Sequence, residues 1–122
     1  MCRRQFSSFL PFLLLVAAPA TPSFSASDIK ADQQAGAQLY HDKGCGQCHG
    51  AKLEGTKKGP ALAAIQDDKD WPPEKITKQI VDGGAKMPPF GESLTDPEVA
   101  QLVAYLRAKD RPAPPPPANP PN

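Results

Sequence analysis

Cys45-Gly46-Gln47-Cys48-His49 constrains this chain more than any other stretch. Two thiols three positions apart, with an imidazole directly after the second, form the arrangement that attaches a c-type haem. Each thiol can add across one porphyrin vinyl group. The imidazole beside Cys48 is then held below the iron as its proximal ligand. One turn of backbone therefore predicts three anchors for a large, flat, apolar body, and the fold must wrap that body. The motif is short, so its support has to come from the rest of the chain.

The 122 residues suit one small domain. Residues 1–26 read as a cleaved secretory signal, with Arg3 and Arg4 as the basic start and residues 9–18 as the apolar run. Ala18-Pro19-Ala20 and Ser23-Phe24-Ser25 both fit a small-x-small cleavage site, so the cut falls after Ala20 or after Ser25. The run is shorter than the roughly 20 residues of a spanning helix, and Pro11 and Pro19 interrupt it. The expectation is a periplasmic protein with no stable membrane anchor. Cleavage removes Cys2 and Met1, which leaves two cysteines, both in the motif, and one methionine, Met87.

Residues 111–122 carry seven of the 16 prolines and read as a disordered, polyproline-type tail. The domain is then residues 27–110, a small core that a buried haem would enlarge. Losing Arg3 and Arg4 takes the 14 basic residues to 12, against 13 acidic ones. Such balance argues against nucleic acid as a partner.

Periodicity predicts an all-α chain. Residues 28–42 form a first helix, N-capped by Ser27 or Asp28 and ending near Lys43-Gly44. Residues 61–65 suit a single helical turn. Pro73-Glu74 opens another helix, with Ile76, Ile80 and Val81 facing inward, and Gly83-Gly84 ends it. Thr95-x-x-Glu98 is a capping box, and Val99, Leu102, Val103 and Leu106 mark one face of a last helix that runs to about Ala108. No segment alternates like a strand, and there is no internal repeat.

The second axial position on the iron has several candidates: Met87, His41 and the lysines. Met87 is preferred because the Gly-Gly helix end and Pro88-Pro89 hold it on a stiff loop. A thioether there would raise the potential and leave the iron coordinatively saturated. His41, beside Asp42 and Lys43, reads as a solvated surface side chain. A thiol oxidoreductase would want a strand before Cys45. A peroxidase would want an open sixth position. Zinc would want two more ligands of suitable spacing, and besides the motif the mature chain offers only His41.

The chain resembles the small bacterial class I cytochromes c over nearly all of residues 28–109. The likeness rests on the haem motif, Gly59-Pro60-Ala61-Leu62, Lys86-Met87-Pro88-Pro89-Phe90 and the final helix with Leu102 and Tyr105, in that order. It implies three to five helices wrapped around one covalently bound haem, with Cys45, Cys48, His49, Pro60 and Met87 at the cofactor and His49 and Met87 on the iron. Pro60 resembles the proline whose carbonyl accepts from the proximal histidine; the alternative is that Gly59-Pro60 is only a turn. Gly36 and Tyr40 resemble the pair that meets the last helix at Leu102 and Tyr105. Trp71 reads as a core aromatic or, as in some relatives, as a donor to a haem propionate.

The resemblance implies a monomeric, soluble one-electron carrier that is not an enzyme and works with redox partner proteins. The alternative is an electron-accepting subunit of a dehydrogenase or oxidase. Lys52, Lys57, Lys58 and Lys86 are candidates for steering an acidic partner.

Overall fold

The computed structural model describes residues 25–113, which contain four helices and no strand. Helix α1 (Ala26–Asp42) begins earlier than the expected cap at Ser27 or Asp28. Ser25 is the N-cap: its hydroxyl accepts from the Ser27 N–H at 3.2 Å, and its own N–H donates to the Asp28 carboxylate at 3.1 Å. Asp28 therefore closes a capping box from three residues downstream. This puts Ser25 and Ala26 in the domain, ahead of the boundary expected after residue 26. The rest of the expected signal, residues 1–24, lies outside the described residues.

Helix α2 (Gly46–His49) is one turn that contains the second cysteine and the histidine of the motif. Helix α3 (Pro73–Asp82) opens on a proline, whose fixed φ and missing N–H suit a first helical position. Helix α4 (Asp96–Arg107) has the expected capping box. The Thr95 N–H and hydroxyl both donate to the Glu98 carboxylate, at 2.7 and 2.9 Å.

α1 crosses α4, and α3 packs on α4 less extensively. The buried side chains are Ala37 and Tyr40 from α1, Ile76 and Ile80 from α3, and Val99, Leu102, Val103, Tyr105 and Leu106 from α4, with Val81 only half-buried. Gly36 sets the crossing distance. A Cβ there would lie 2.1 Å from the Gln101 carbonyl oxygen and 2.6 Å from Tyr105 Cβ, so only glycine lets the backbones approach this closely. Tyr40 and Tyr105 meet beside it, tilted by 54° with centroids 5.7 Å apart.

Two expectations need correction. Residues 61–65 form no helical turn. The Leu62 and Ala63 N–H groups both donate to the Leu53 carbonyl, at 2.8 and 3.1 Å, and the bonds that follow span only three residues, so the chain makes turns. Arg111, placed at the head of the tail, is instead tied to the domain: it donates to the Ala63 and Leu106 carbonyls at 2.8 Å each. Gln34 also donates to the Ala113 carbonyl at 3.3 Å. Residues 114–122 lie outside the described residues. No described helix is long and apolar enough to cross a membrane.

Candidate functional site

The haem motif hangs on the end of α1. The Cys45 N–H donates to the Tyr40 carbonyl at 3.1 Å, and the His49 N–H donates back to Cys45 at 2.9 Å. The Tyr40 hydroxyl reaches past the motif and donates to the Gly50 carbonyl at 2.8 Å in a buried setting. Helix packing therefore fixes the turn from both ends.

The next loop folds back on the motif. Gly55 N–H donates to the His49 carbonyl at 2.7 Å, and Thr56 Oγ1 donates to the Cys48 carbonyl at 2.6 Å. His49 Nδ1 lies 2.9 Å from the Pro60 carbonyl oxygen. A carbonyl only accepts, so Nδ1 carries the proton and Nε2 keeps its lone pair for a metal. Gly59 allows this approach, since a Cβ there would come within 2.9 Å of the Cys48 carbonyl oxygen. Gly59-Pro60 therefore does more than turn the chain. Leu53 holds the base of the loop with a left-handed φ of 64° while 97 % of its surface is buried, being 3 % exposed.

Met87 sits on the loop after α3. The Gly84 N–H donates to the Met87 carbonyl at 2.8 Å, and Phe90 and Gly91 return N–H groups to the Ile80 and Val81 carbonyls at 3.0 and 3.1 Å. Gln79 Nε2 donates to the Gly83 carbonyl at 3.0 Å and points at Met87 Sδ from 3.9 Å. Sequence reasoning missed Gln79. The signal was its place one helical turn after the inward-facing Ile76.

These loops enclose two cavities, of about 480 and 400 Å³, that share His49, Pro60, Lys86 and Met87. The first is walled by apolar side chains, including Leu62, Ile65, Trp71, Ile76, Ile80 and Leu106. The second carries Cys45, Cys48, Pro88 and Phe90. An imidazole with Nε2 available and a thioether border both cavities, and the two thiols border the second; the pair of cavities is termed the slot. That donor set fits a covalently attached haem. Burial pushes the Cys45 thiol up, with the neighbouring Cys48 adding to the effect. Among the described residues no three His, Cys, Asp or Glu side chains converge on a metal site of their own.

The remaining candidates separate cleanly. His41 is exposed and pairs with the Asp42 carboxylate at 3.0 Å, away from both cavities. Lys58 and Lys86 line the second cavity, together with Lys43, which the sequence had not marked; Lys52 and Lys57 do not. Trp71 is half-buried, lines the first cavity and carries the Lys75 ammonium 4.4 Å from its ring centre.

Residues 31–106 match the family described as cytochrome c oxidase, cbb3-type, subunit III. The chain belongs to the c-type cytochromes. Its cofactor is haem c. Cytochrome c6 of Picosynechococcus is 32% identical over 106 residues, covering 80% of this chain and 86% of that protein. The cbb3-type cytochrome c oxidase subunit FixP of Sinorhizobium medicae is 31% identical over 106 residues, covering 75% of this chain. This cytochrome spans only 32% of the length of that relative. The solved structure of the c-type cytochrome XoxG from Methylobacterium extorquens superposes with a TM-score of 0.54 at 24% identity, over 68% of this chain and 57% of the other, and so shares the all-α cytochrome c fold.

Proposed function

We propose that this cytochrome is an exported one-electron carrier with one haem c per chain, tethered by Cys45 and Cys48, with His49 and Met87 as iron ligands and Pro60 supporting His49. The observation that carries this reading is that His49 and Met87 share one apolar slot while His49 Nδ1 is committed to Pro60 at 2.9 Å. Bound haem c supplies an iron that takes up and returns one electron.

The chain's own residues supply the rest. Pro60 keeps His49 in the tautomer that offers Nε2. Leu62, Ile65, Ile76, Ile80 and Leu106 exclude water. Met87 offers a soft thioether, which favours the ferrous state. Haem held here would find iron donors in both His49 and Met87, which would leave no open position for a substrate and favours a carrier over an enzyme. Lys43, Lys58 and Lys86 border the cysteine side of the slot and suit an acidic redox partner. Export rests on the basic start and apolar run within residues 1–20 acting as a cleaved signal. The Ser25 capping box favours a cut after Ala20, because a cut after Ser25 would remove the cap of α1.

A second reading, an electron-accepting subunit of an oxidase or dehydrogenase, draws support from the family match. The two share the haem site and differ in assembly. Intact-mass analysis of the purified protein should show one covalent haem on a chain cut after residue 20. Its redox titration should follow a single one-electron Nernst curve, and native sizing should give a monomer. A protein that elutes only with a large partner would favour the subunit reading. A chain without covalent haem, from a host that attaches haem to other cytochromes, would overturn both.

A further inference from the structure

We propose that Arg107 and Arg111 are positioning residues that clamp the loop of residues 62–71 against the haem slot. This loop supplies Leu62, Ala64, Ile65, Asp68 and Trp71 to the wall of the larger cavity. It has little backbone structure of its own to hold it there. After Ala63, its N–H groups make only short local bonds, such as Ile65 to Leu62 and Asp68 to Ile65, at 3.2 and 3.3 Å. A wall that borders an apolar cofactor needs to be held by something outside itself.

The two guanidinium groups do this. Arg107 Nη1 donates to the Ile65 carbonyl at 2.8 Å and shares its second hydrogen between two further carbonyls along the loop, Asp68 at 3.2 Å and Trp71 at 3.3 Å. Arg111 donates to the Ala63 carbonyl at 2.8 Å, to Leu62 at 3.5 Å and to the Gln66 side chain. It also donates to the Leu106 carbonyl at 2.8 Å, which ties the loop back to α4. Arg107 is in the last turn of α4, next to Leu106, which itself lines the cavity. The best-packed helix is thereby connected directly to the least regular wall. Arginine suits the task because its planar fork stays charged and serves several acceptors at once. Without it the three carbonyls would turn to water, and water beside the slot stabilises the more highly charged ferric iron. The arginines therefore help to set the potential without touching the iron.

This inference rests on the slot being the haem site, and its test separates the two ideas. The experiment uses the full-length holoprotein and reads amide hydrogen exchange along the chain together with the midpoint potential. Arg107→Ala should speed exchange within residues 62–71 roughly tenfold or more relative to α1 and α4, on the scale of losing a charged-donor hydrogen bond. It should also lower the potential. Arg107→Lys, which keeps the charge but not the fork, should fall between Arg107→Ala and the parent in both. Thr95→Ala, which weakens α4 through its cap alone, should speed exchange in α4 but leave exchange within residues 62–71 and the potential at the parent's values. Uniformly faster exchange along the chain with an unchanged potential would reduce the arginines to general staples and overturn the proposal. If Arg107→Ala does not accumulate with haem, Arg107→Lys and Arg111→Ala decide the question by the same readouts. If the parent itself carries no haem, the site reading fails, while the exchange data still test the clamp.

Discussion

The α1–α4 crossing and the loops around the slot are built on different principles. The crossing depends on apolar contact: Gly36 seats against Gln101 and Tyr105, and Ala37, Tyr40, Leu102 and Leu106 fill the space around it. The slot loops have no repeating hydrogen-bond ladder. They are held by isolated side-chain donors aimed at backbone carbonyls, such as His49 to Pro60, Thr56 to Cys48, Gln79 to Gly83 and Arg107 to Ile65. The first arrangement is non-directional and supplies stability. The second is directional and places donor atoms. A small chain can thus let one region carry the folding free energy while the other holds a cofactor's ligands.

Substitutions should separate the two regions by what they change. Gly36→Val should be the most damaging, because its Cβ would collide with backbone and not with the tip of a flexible side chain. We expect a loss of ~3 kcal/mol or more, or failure to fold, read by denaturant unfolding. Tyr40→Phe tests the link between the regions. Burial keeps the Tyr40 hydroxyl protonated far above the ordinary phenol range, and removing it orphans the Gly50 carbonyl beside the motif. The expected cost is about 1–3 kcal/mol by the same measurement. A loss no larger than a few tenths of a kcal/mol would mean that the motif is held by its own turn alone.

Gln79→Leu should do the reverse, costing no more than about 1 kcal/mol of unfolding free energy for the lost bond to the Gly83 carbonyl while altering the iron. The amide's positive end faces Met87 Sδ and draws electron density from it, so its removal should lower the midpoint potential by ~20–60 mV, the one-electron equivalent of a weak to ordinary hydrogen bond. A rise in potential would contradict this geometry.

The smallest effect should be pH-dependent. The Thr95 N–H and hydroxyl hold the Glu98 carboxyl below its ordinary value of 4.5. A carboxylate whose folded pKa is lowered contributes stability above its unfolded pKa and loses it as pH falls through the folded value. Thermal melts from pH 7 to pH 3 should therefore show the parent ahead of Glu98→Gln at neutral pH and the gap closing in acid. A gap that widens in acid would break the capping assignment.

The crossing was legible in the sequence for the same reason that it is stable. Apolar residues recurring on one face mark α4, and Thr95 with Glu98 marks its start. α1 was legible as a helix but not to its first residue, because Ser25 and Ser27 are chemically equivalent caps until Asp28 chooses between them. The residues proposed for the haem site stood out because Cys45, Cys48, His49 and Met87, together with His41, are the few soft or imidazole donors left after the expected signal. What the sequence concealed was the support around them. Arg107 meets Ile65 from 42 positions away, and a guanidinium on a backbone carbonyl has no local pattern to announce it. Leu53 in left-handed backbone could not be anticipated either, because leucine carries no preference for it. Residues 61–65 misled because apolar spacing suggested a helical turn, while two of their N–H groups were already engaged by Leu53.

The most direct test of the central claim, that His49 and Met87 grip one haem in this slot, is the optical spectrum of the purified protein and of Met87→Ala, oxidised and then reduced with dithionite. The account predicts sharp low-spin α and β bands on reduction, and a weak near-infrared sulfur-to-iron band in the oxidised parent that vanishes in Met87→Ala. A parent without that band, or a variant that retains it, would show that Met87 is not the ligand and would contradict the site described above.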